Sequence, residues 1–359
     1  MALPATPAVA AAFDWQPIAP AEAGFAPDME ARLDKLIADK RAWNLHAVVV
    51  ARSGRLVLER YFAGQDWAIT RDLGHVTFGP GTLHDLRSVT KSIVSLVYGI
   101  ALEQGKVPPP EAPLFASFPA YADLAQGRER LTIYHALTMT MGTDWDESSI
   151  PYTDPRNSEI AMELAPDRYR YVLERRVVGE PGRRWTYSGG ATALLGRIIA
   201  DGTGKSLPDF AREVLFDPLG IGPTEWFVSS DGVPAAASGL RMTPRDLARI
   251  GHLMLGRGVW QGRRIVPAPW FDKCTTPIVS CDEQRRFGYH WYMGDFSFGT
   301  PPGSRLERWW GCFGNGGQRL FVLPELELVI AVTAGNYSTQ DQWIPPIRVV
   351  REVVLASVQ

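Results

Sequence analysis

A serine and a lysine three residues apart are the side chains of this sequence whose spacing most directly suggests chemistry. They form the run Ser88-Val-Thr-Lys91, which opens an apolar segment that predicts a helix over residues 88–104. Side chains three apart on a helix share a face, about 5–6 Å apart at Cβ, so the Ser88 hydroxyl can meet the Lys91 amine. A serine beside a proton acceptor can serve as a covalent nucleophile. The same pair also occurs on ordinary amphipathic helices, so the rest of the chain must decide between the two interpretations.

Two later segments could complete a site around this serine. The first is Tyr187-Ser-Gly189, and the second is the glycine-rich run Cys312-Phe-Gly-Asn-Gly-Gly-Gln318. A tyrosine whose pKa is lowered by nearby cations could accept a proton. Glycines allow a strand to approach a substrate without interference from side chains. Together with Ser88 and Lys91, these segments suggest acyl transfer.

Other common motifs are absent. Gly202-Thr-Gly-Lys-Ser206 ends like a phosphate-binding loop, but the glycine required three positions earlier is Ile199. Gly314-Asn-Gly-Gly317 does not complete a dinucleotide fingerprint, because position 319 is Arg319. No histidine lies in H-E-x-x-H and no serine lies in G-x-S-x-G, which argues against a zinc protease and an α/β-hydrolase elbow.

The order of the three segments, with their flanks, resembles the serine β-lactamase superfamily. The similarity is to the class C-like branch, which includes family VIII-type esterases, D-amino-acid peptidases and aminohexanoate-dimer hydrolases. The motifs of that family are S-x-x-K, then Y-x-N or Y-x-S, then K-T-G or H-x-G followed by glycines. The resemblance extends over about residues 28 to 357. The flanking segments that support it are residues 131–142, 181–196, 237–249 and 316–324.

The resemblance implies a role for each segment. Ser88 is the expected nucleophile, and Tyr187 as phenolate is the preferred general base, with Lys91 holding its charge and relaying the proton. The residues themselves leave open which of the two carries the proton. The expected oxyanion hole consists of the backbone N–H groups of Ser88 and Asn315. The expected substrate-binding residues are Tyr152, Trp185, Gly189, Cys312, Phe313 and Gly314.

Two departures from the family pattern narrow the expected substrate. The second motif ends in Gly189, where many relatives carry an asparagine that contacts the substrate and the lysine. The third motif has Cys312 in place of the lysine that would receive a β-lactam carboxylate. We therefore expect a carboxylesterase or amidase that acts on small esters or amides. The alternatives are a D-stereospecific peptidase, a transacylase or a β-lactamase using the same site, and a catalytically inert penicillin-recognising module.

The composition and net charge limit the classes of molecule that we expect this protein to bind. The net charge of −2 and the lack of Lys/Arg runs argue against nucleic acid and anionic membranes, which leaves a small-molecule substrate. Three cysteines without C-x-x-C spacing indicate neither a disulfide framework nor a zinc site, so we expect no cofactor and no metal. The N-terminus lacks a convincing signal peptide, and we expect a cytoplasmic protein, with a periplasmic one as the alternative.

The elements that must position these residues follow from hydrophobic periodicity. Strand patterns lie near both ends of the chain and helical patterns lie between them. This order predicts an α/β (α+β) fold with an antiparallel sheet flanked by terminal helices and an inserted, mostly helical domain. The resemblance implies that this fold is of the β-lactamase and penicillin-binding transpeptidase type. The predicted divisions are an N-terminal tail (1–26), a sheet domain (27–85 and 283–359) and a helical domain (86–282) that carries the nucleophile helix at the interface.

Overall fold

The structure is a computed structural model that describes residues 15–299 and 304–359 of the chain. In these ranges the strands are β1 (Gln16–Pro17), β2 (Leu45–Arg52), β3 (Arg55–Tyr61), β4 (Ala63–Ala68), β5 (Arg71–Thr77), β6 (His84–Asp85), β7 (Glu225–Trp226), β8 (Leu240–Met242), β9 (Val259–Trp260), β10 (Arg263–Arg264), β11 (Val279–Ser280), β12 (Arg286–Phe287), β13 (Tyr292–Phe298), β14 (Arg305–Gly314), β15 (Gln318–Leu323) and β16 (Leu328–Ala334). The α-helices are α1 (Met29–Ala38), α2 (Val89–Glu103), α3 (Ile133–Leu137), α4 (Ser158–Leu164), α5 (Arg168–Leu173), α6 (Gly189–Thr203), α7 (Leu207–Ala211), α8 (Pro244–Leu255), α9 (Ala268–Thr275) and α10 (Ile344–Arg348). Two π-helical stretches, Arg212–Phe216 and Val349–Val354, continue α7 and α10.

A large sheet unites the two ends of the chain. Its strand order is β1-β3-β2-β16-β15-β14-β13-β12-β11. The N-terminal hairpin β2–β3 joins the C-terminal strands where β2 pairs with β16, with Val50 opposite Ile330. Among these described strands, only β1 runs parallel to its neighbour. The predicted mixed fold, with a mostly antiparallel sheet and helices beside it, is confirmed.

Helices cover both faces of this sheet. Successive side chains of a strand point to opposite faces, so a strand covered on both sides is apolar throughout. On β16, Leu328 and Ile330 face the core beneath α1 and the C-terminal helix. Val329 and Ala331 face the other core, which the sheet shares with α2, α6 and α8. One face of the sheet therefore packs directly against the helical region.

Helix α2 is the buried centre of the helical region. Every residue from Val89 to Ala101 is buried, and α2 packs against α6 and the sheet strand β14. Its neighbours approach closely enough that a side chain at Gly99 would collide with the ring of Trp270. A helix that is apolar on all sides must be enclosed, and this fixes the position of its polar first turn. No helix in the described ranges is both long and apolar enough to cross a membrane.

Several predicted boundaries differ from the structure. The hydrophobic pattern of residues 158–174 alone predicts a single helix, but α4 and α5 are separate because Pro166 forces Ala165 into an extended conformation (ψ 142°). Residues 288–293 have the pattern of a strand, but the strand lies at Tyr292–Phe298. The strand patterns also missed β14, in which charged residues near the start obscure the alternation.

The predicted domain divisions meet the structure only in part. Residues 1–14 of the predicted tail lie outside the described residues. Within the remainder of the tail, Gln16 and Pro17 pair with β3, so this part belongs to the sheet. At the other boundary, Val279 and Ser280 already form the edge strand β11, a few residues before the predicted return to the sheet domain.

Candidate active site

Ser88 lies at the N-terminal end of α2, directly after a strained turn. Arg87 has a φ of +48°, in the left-handed region that residues with a side chain seldom adopt. Its N–H donates to the Asp85 carboxylate (2.9 Å), and β6 holds Asp85 in place by pairing with β8. Because the rest of α2 is enclosed, the turn presents the Ser88 hydroxyl at the surface of a cavity. Backbone strain of this kind commonly occurs at functional sites.

Lys91 is buried directly beneath Ser88. Its Nζ donates to Ser88 Oγ (3.0 Å) and to the carbonyl oxygen of Ala237 (2.9 Å). Two carboxylates complete its surroundings, Glu147 Oε1 at 3.7 Å and Glu159 Oε2 at 3.8 Å. Burial acts to lower the pKa of Lys91, whereas Glu159, Tyr187 and Glu147 act to raise it. The raising effects are larger together, so the pKa of Lys91 lies above the ordinary value for lysine. The amine is therefore a cation at rest.

Tyr187 lies on the other side of the lysine. Lys91 Nζ is 4.9 Å from the centre of the Tyr187 ring, and Lys91 and Ser88 both act to lower the pKa of the phenol. Burial raises the pKa of Tyr187 to about 12, because the two nearby glutamates offset the attraction of Lys91. Neither candidate base has the depressed pKa that catalysis at neutral pH would favour. We therefore ask which proton the whole cluster can lose, and do not assign the base to Lys91 or Tyr187 alone.

The two glutamates were not predicted from the sequence. Glu147 Oε2 accepts from the Gly189 N–H (2.5 Å) and from Trp145 Nε1 (2.9 Å), while Oε1 accepts from the Tyr152 hydroxyl (2.9 Å). Burial raises the pKa of Glu147, but Lys91 and these donors bring it below the ordinary value. For Glu159, burial and the charge of Glu147 raise the pKa well above the ordinary value. The two shifts have opposite directions, so Glu147 is the stronger acid of the pair and carries the negative charge when only one of the two is ionised.

Glu159 occupies the space of the missing asparagine side chain in the second motif. A Cβ atom placed on Gly189 would lie 2.9 Å from the carboxyl carbon of Glu159 and 3.1 Å from each of its oxygens. Asn157 caps α4 by accepting from the Glu159 and Ile160 N–H groups, which fixes the start of that helix. The carboxyl group thus reaches Lys91 from a different segment of the chain. The feature of the sequence that could have indicated such a residue is the glycine at position 189, because it leaves a space that a side chain from another segment can fill.

The expected oxyanion donors lie together at the cavity. Throughout the described ranges, the backbone N–H groups of Ser88 and Asn315 donate to no other protein group. The Asn315 side chain accepts from the Ser338 N–H (2.7 Å), which holds the loop after β14. Gly314 packs so closely on the Leu86 carbonyl that no side chain would fit there. Two free N–H groups beside a nucleophile can stabilise the developing oxyanion.

Most of the predicted pocket residues lie near this centre. Ser88, Tyr152, Glu159 and Asn315 line a cavity of about 600 Å³, whose apolar wall includes Trp67 and other aromatic residues. A narrow pocket of about 10 Å³ leads from Ser88 to Lys91, Tyr187 and Phe313.

Two predicted residues lie elsewhere. The structure does not bring Cys312 to the cavity: its side chain is buried in the core, and burial raises the pKa of its thiol. The reason is the alternation along β14, which directs Cys312 toward α2. Trp185 packs behind Tyr187, with ring centres 5.9 Å apart, and does not line the cavity. The side chains of Cys312 and Trp185 therefore pack beside the site without lining the cavity.

Comparisons with known proteins agree with this architecture. The family model described as Beta-lactamase matches residues 33–351. The chain is 26% identical over 328 residues to the 6-aminohexanoate-dimer hydrolase of Paenarthrobacter ureafaciens, which covers 85% of this chain and 74% of that protein. A solved structure of a proposed 6-aminohexanoate-dimer hydrolase from Bacillus anthracis has a TM-score of 0.71 at 19% identity and covers 92% of this chain and 84% of its own. A structure described as EstCE1, a hydrolase with promiscuous acyltransferase activity, has a TM-score of 0.66 at 15% identity, covering 90% of this chain and 96% of its own.

Proposed function

Because the chain belongs to the beta-lactamase family, we propose that it is a serine hydrolase that cleaves small ester or amide substrates through an acyl-enzyme at Ser88. The observation that carries this proposal is the 3.0 Å contact between Lys91 Nζ and Ser88 Oγ at the wall of a cavity about 600 Å³ in volume. A serine hydroxyl that contacts a lysine amine and is open to a cavity meets the geometric requirement for nucleophilic catalysis.

The proposed reaction has two stages. Ser88 Oγ attacks the carbonyl carbon while its proton passes to the Lys91–Tyr187 pair, and the oxyanion accepts from the N–H groups of Ser88 and Asn315. The tetrahedral intermediate collapses, and the leaving alcohol or amine takes a proton from the pair. Water then attacks the acyl-enzyme, giving its proton to the same pair, and Ser88 is released as the hydroxyl.

The reactive form of the pair has lost one proton. At rest Lys91 is a cation and Tyr187 is a phenol, so neither can accept the Ser88 proton. When one proton leaves, either a phenolate beside an ammonium or an amine beside a phenol remains, and the two forms interconvert within the cluster. We assign the base function to the pair and not to one residue.

The third motif supplies no cation to the cavity, and much of the cavity wall is apolar. Relatives with a lysine in the third motif have a cation available for a substrate carboxylate, whereas Cys312 here is uncharged and buried. Trp67, Phe227 and Tyr337 instead provide apolar surface beside Ser88. Linear amides are the second candidate substrates, and the name of the relative from Paenarthrobacter ureafaciens supports testing them.

The test is Ser88→Ala against wild type on p-nitrophenyl acetate, with Ser297→Ala as a matched control at an exposed serine of β13. We expect Ser88→Ala to lose turnover and fluorophosphonate labelling while Ser297→Ala retains both. Unchanged turnover in Ser88→Ala would refute the proposal.

A panel of short-chain esters, linear amides, D-peptides and a cephalosporin then distinguishes the alternatives. Turnover of D-peptides alone would identify a peptidase, and product formation only with an added amine would identify a transacylase. Wild-type protein that neither labels nor turns over any substrate would instead be the inert binding module.

A further inference from the structure

Three buried side chains outside the proposed catalytic cluster meet at one point. His46 comes from β2, Asp66 from β4 and His84 from β6, and each is at most 1% exposed. His46 Nδ1 is 2.8 Å from His84 Nε2, and Asp66 Oδ1 is 3.9 Å from the first nitrogen and 3.8 Å from the second. No short sequence motif links these residues, because they come from three separate strands.

The outer contacts of the two imidazoles fix where their protons lie. His84 Nδ1 is 3.0 Å from the carbonyl oxygen of Asp85, which only accepts, so Nδ1 carries the proton and Nε2 is a lone pair. His46 Nε2 is 3.3 Å from Asn44 Oδ1, and Asn44 Nδ2 donates to the Gln65 carbonyl (3.4 Å), which orients the amide. Nε2 of His46 therefore carries its proton, and Nδ1 is a lone pair.

Two nitrogen lone pairs thus face each other at 2.8 Å, which is repulsive unless a positive charge lies between them. Asp66 Oδ1 lies 3.9 Å and 3.8 Å from these two nitrogens, too far for a hydrogen bond to either, and brings an oxygen to the same point. The facing lone pairs and this oxygen therefore indicate a cation between the three atoms.

We propose that His46, Asp66 and His84 bind a divalent transition-metal ion, of which Zn²⁺ fits best. The three measured distances put a point in the plane of the ligand atoms about 2.1 Å from each, which is the length of a Zn–N or Zn–O bond. Two imidazoles and one carboxylate suit zinc and its first-row neighbours, whereas Mg²⁺ and Ca²⁺ prefer oxygen ligands.

The surroundings of the cluster resemble an outer ligand shell. The Asp85 carbonyl accepts from the imidazole of His84, and the Tyr337 hydroxyl donates to Asp66 Oδ1 (2.7 Å). Contacts of this kind orient metal ligands and fix the tautomer of a histidine. The ion would link β2, β4 and β6, and its ligand His84 lies four residues before Ser88 in the chain. Its function is structural, since Tyr337 and the β6 turn separate it from the cavity.

The experiment uses full-length protein without a polyhistidine tag. Metal content is measured by plasma mass spectrometry for wild type, Asp66→Asn, His84→Gln and the control His75→Gln, in which an exposed histidine of β5 is replaced. We expect about one equivalent of zinc in wild type and in His75→Gln, and less than a tenth of that in the two cluster variants. Wild type stripped by a chelator should lose several degrees in thermal midpoint and recover them with Zn²⁺.

Wild-type readouts keep the proposal testable if the variants fail to fold. Stripped wild type should bind Co²⁺ with visible absorption bands of low-coordinate cobalt, and Zn²⁺ should displace them. A protein that contains no metal and whose thermal midpoint responds to neither chelator nor Zn²⁺ would overturn the proposal. The two histidines would then share a proton.

Discussion

The negative charge on the pair formed by Glu147 and Glu159 leads to a quantitative prediction about the pH dependence of catalysis. Glu147 Oε1 lies 3.7 Å from Lys91 Nζ, and both groups are buried. At an effective dielectric constant of about 20, one charge at this distance stabilises the ammonium by about 4.5 kcal/mol, which is about three pKa units. Removing the charge should lower the pH at which the Lys91–Tyr187 pair loses its first proton by a similar amount.

The perturbation is replacement of both acids by glutamine. In the double variant, an amide oxygen at position 147 can still accept from Gly189 and Trp145, so these two hydrogen bonds survive while the charge is lost. Wild-type kcat/KM should rise with pH through the alkaline range, because the resting pair is fully protonated. The double variant should reach its plateau about three pH units earlier, at a lower maximal rate, since a weaker base accepts the Ser88 proton less readily.

The single variants provide the internal control. Glu159→Gln should leave the profile nearly unchanged, because glutamine reproduces a protonated acid that donates to Glu147. Glu147→Gln should fall between wild type and the double variant, because Glu159, freed from the neighbouring charge and 3.8 Å from Lys91, can ionise in its place.

The assay is hydrolysis of p-nitrophenyl acetate from about pH 7 to about pH 11, with Ser88→Ala subtracted as background and circular dichroism as a check of folding. Over this range wild-type kcat/KM should still rise while that of the double variant levels off. An unmoved profile in the double variant would refute the reasoning. So would Glu159→Gln moving the profile as far as the double variant.

Three further predictions concern the same cluster. Tyr187→Phe should lower kcat by about 10²–10⁴, measured with the same ester, and a change of less than tenfold would shift the base function to Lys91. Gly189→Asn should cost about 1–3 kcal/mol in urea unfolding, because its side chain overlaps the carboxyl of Glu159; adding Glu159→Ala should restore most of this, and additive losses would contradict the overlap. Because the folded pKa of Glu159 is raised, its contribution to stability is present below the ordinary glutamate pKa and is lost as pH rises through the folded value. The thermal midpoint of Glu159→Gln should therefore gain on wild type with increasing pH, and a constant difference would indicate that Glu159 does not titrate in this range.

The sequence predicted the parts of the molecule that local spacing controls. Ser88 and Lys91 share one helix face, and their contact follows from helix geometry. The family and the mixed antiparallel fold are likewise confirmed. The assignment of Tyr187 as a catalytic residue stays a prediction, although the structure brings its ring close to Lys91.

The unpredicted features depend on contacts between distant segments. Glu147 lies in a polar loop and Glu159 in the first turn of α4, among several other acids, and only the folded chain distinguishes the two that are buried beside Lys91. His46 and His84 face each other across strands that no sequence period relates. Cys312 was expected at the substrate because a motif position was equated with a side-chain direction, and the alternation of β14 directs it into the core.

The raised pKa of Glu159 suggests how the proposed site could act without an asparagine at the end of the second motif. A primary amide presents one acceptor oxygen and donor N–H groups and carries no charge. A protonated carboxyl group also presents a donor and an acceptor without charge, so Glu159 can replace the amide only while its pKa stays raised. An ionised Glu159 would put a second negative charge within 4 Å of Lys91 and hold the lysine proton still more firmly. In the proposed mechanism, burial of Glu159 beside Glu147 favours catalysis, because a protonated Glu159 leaves the charge on Lys91 balanced by one carboxylate and not two.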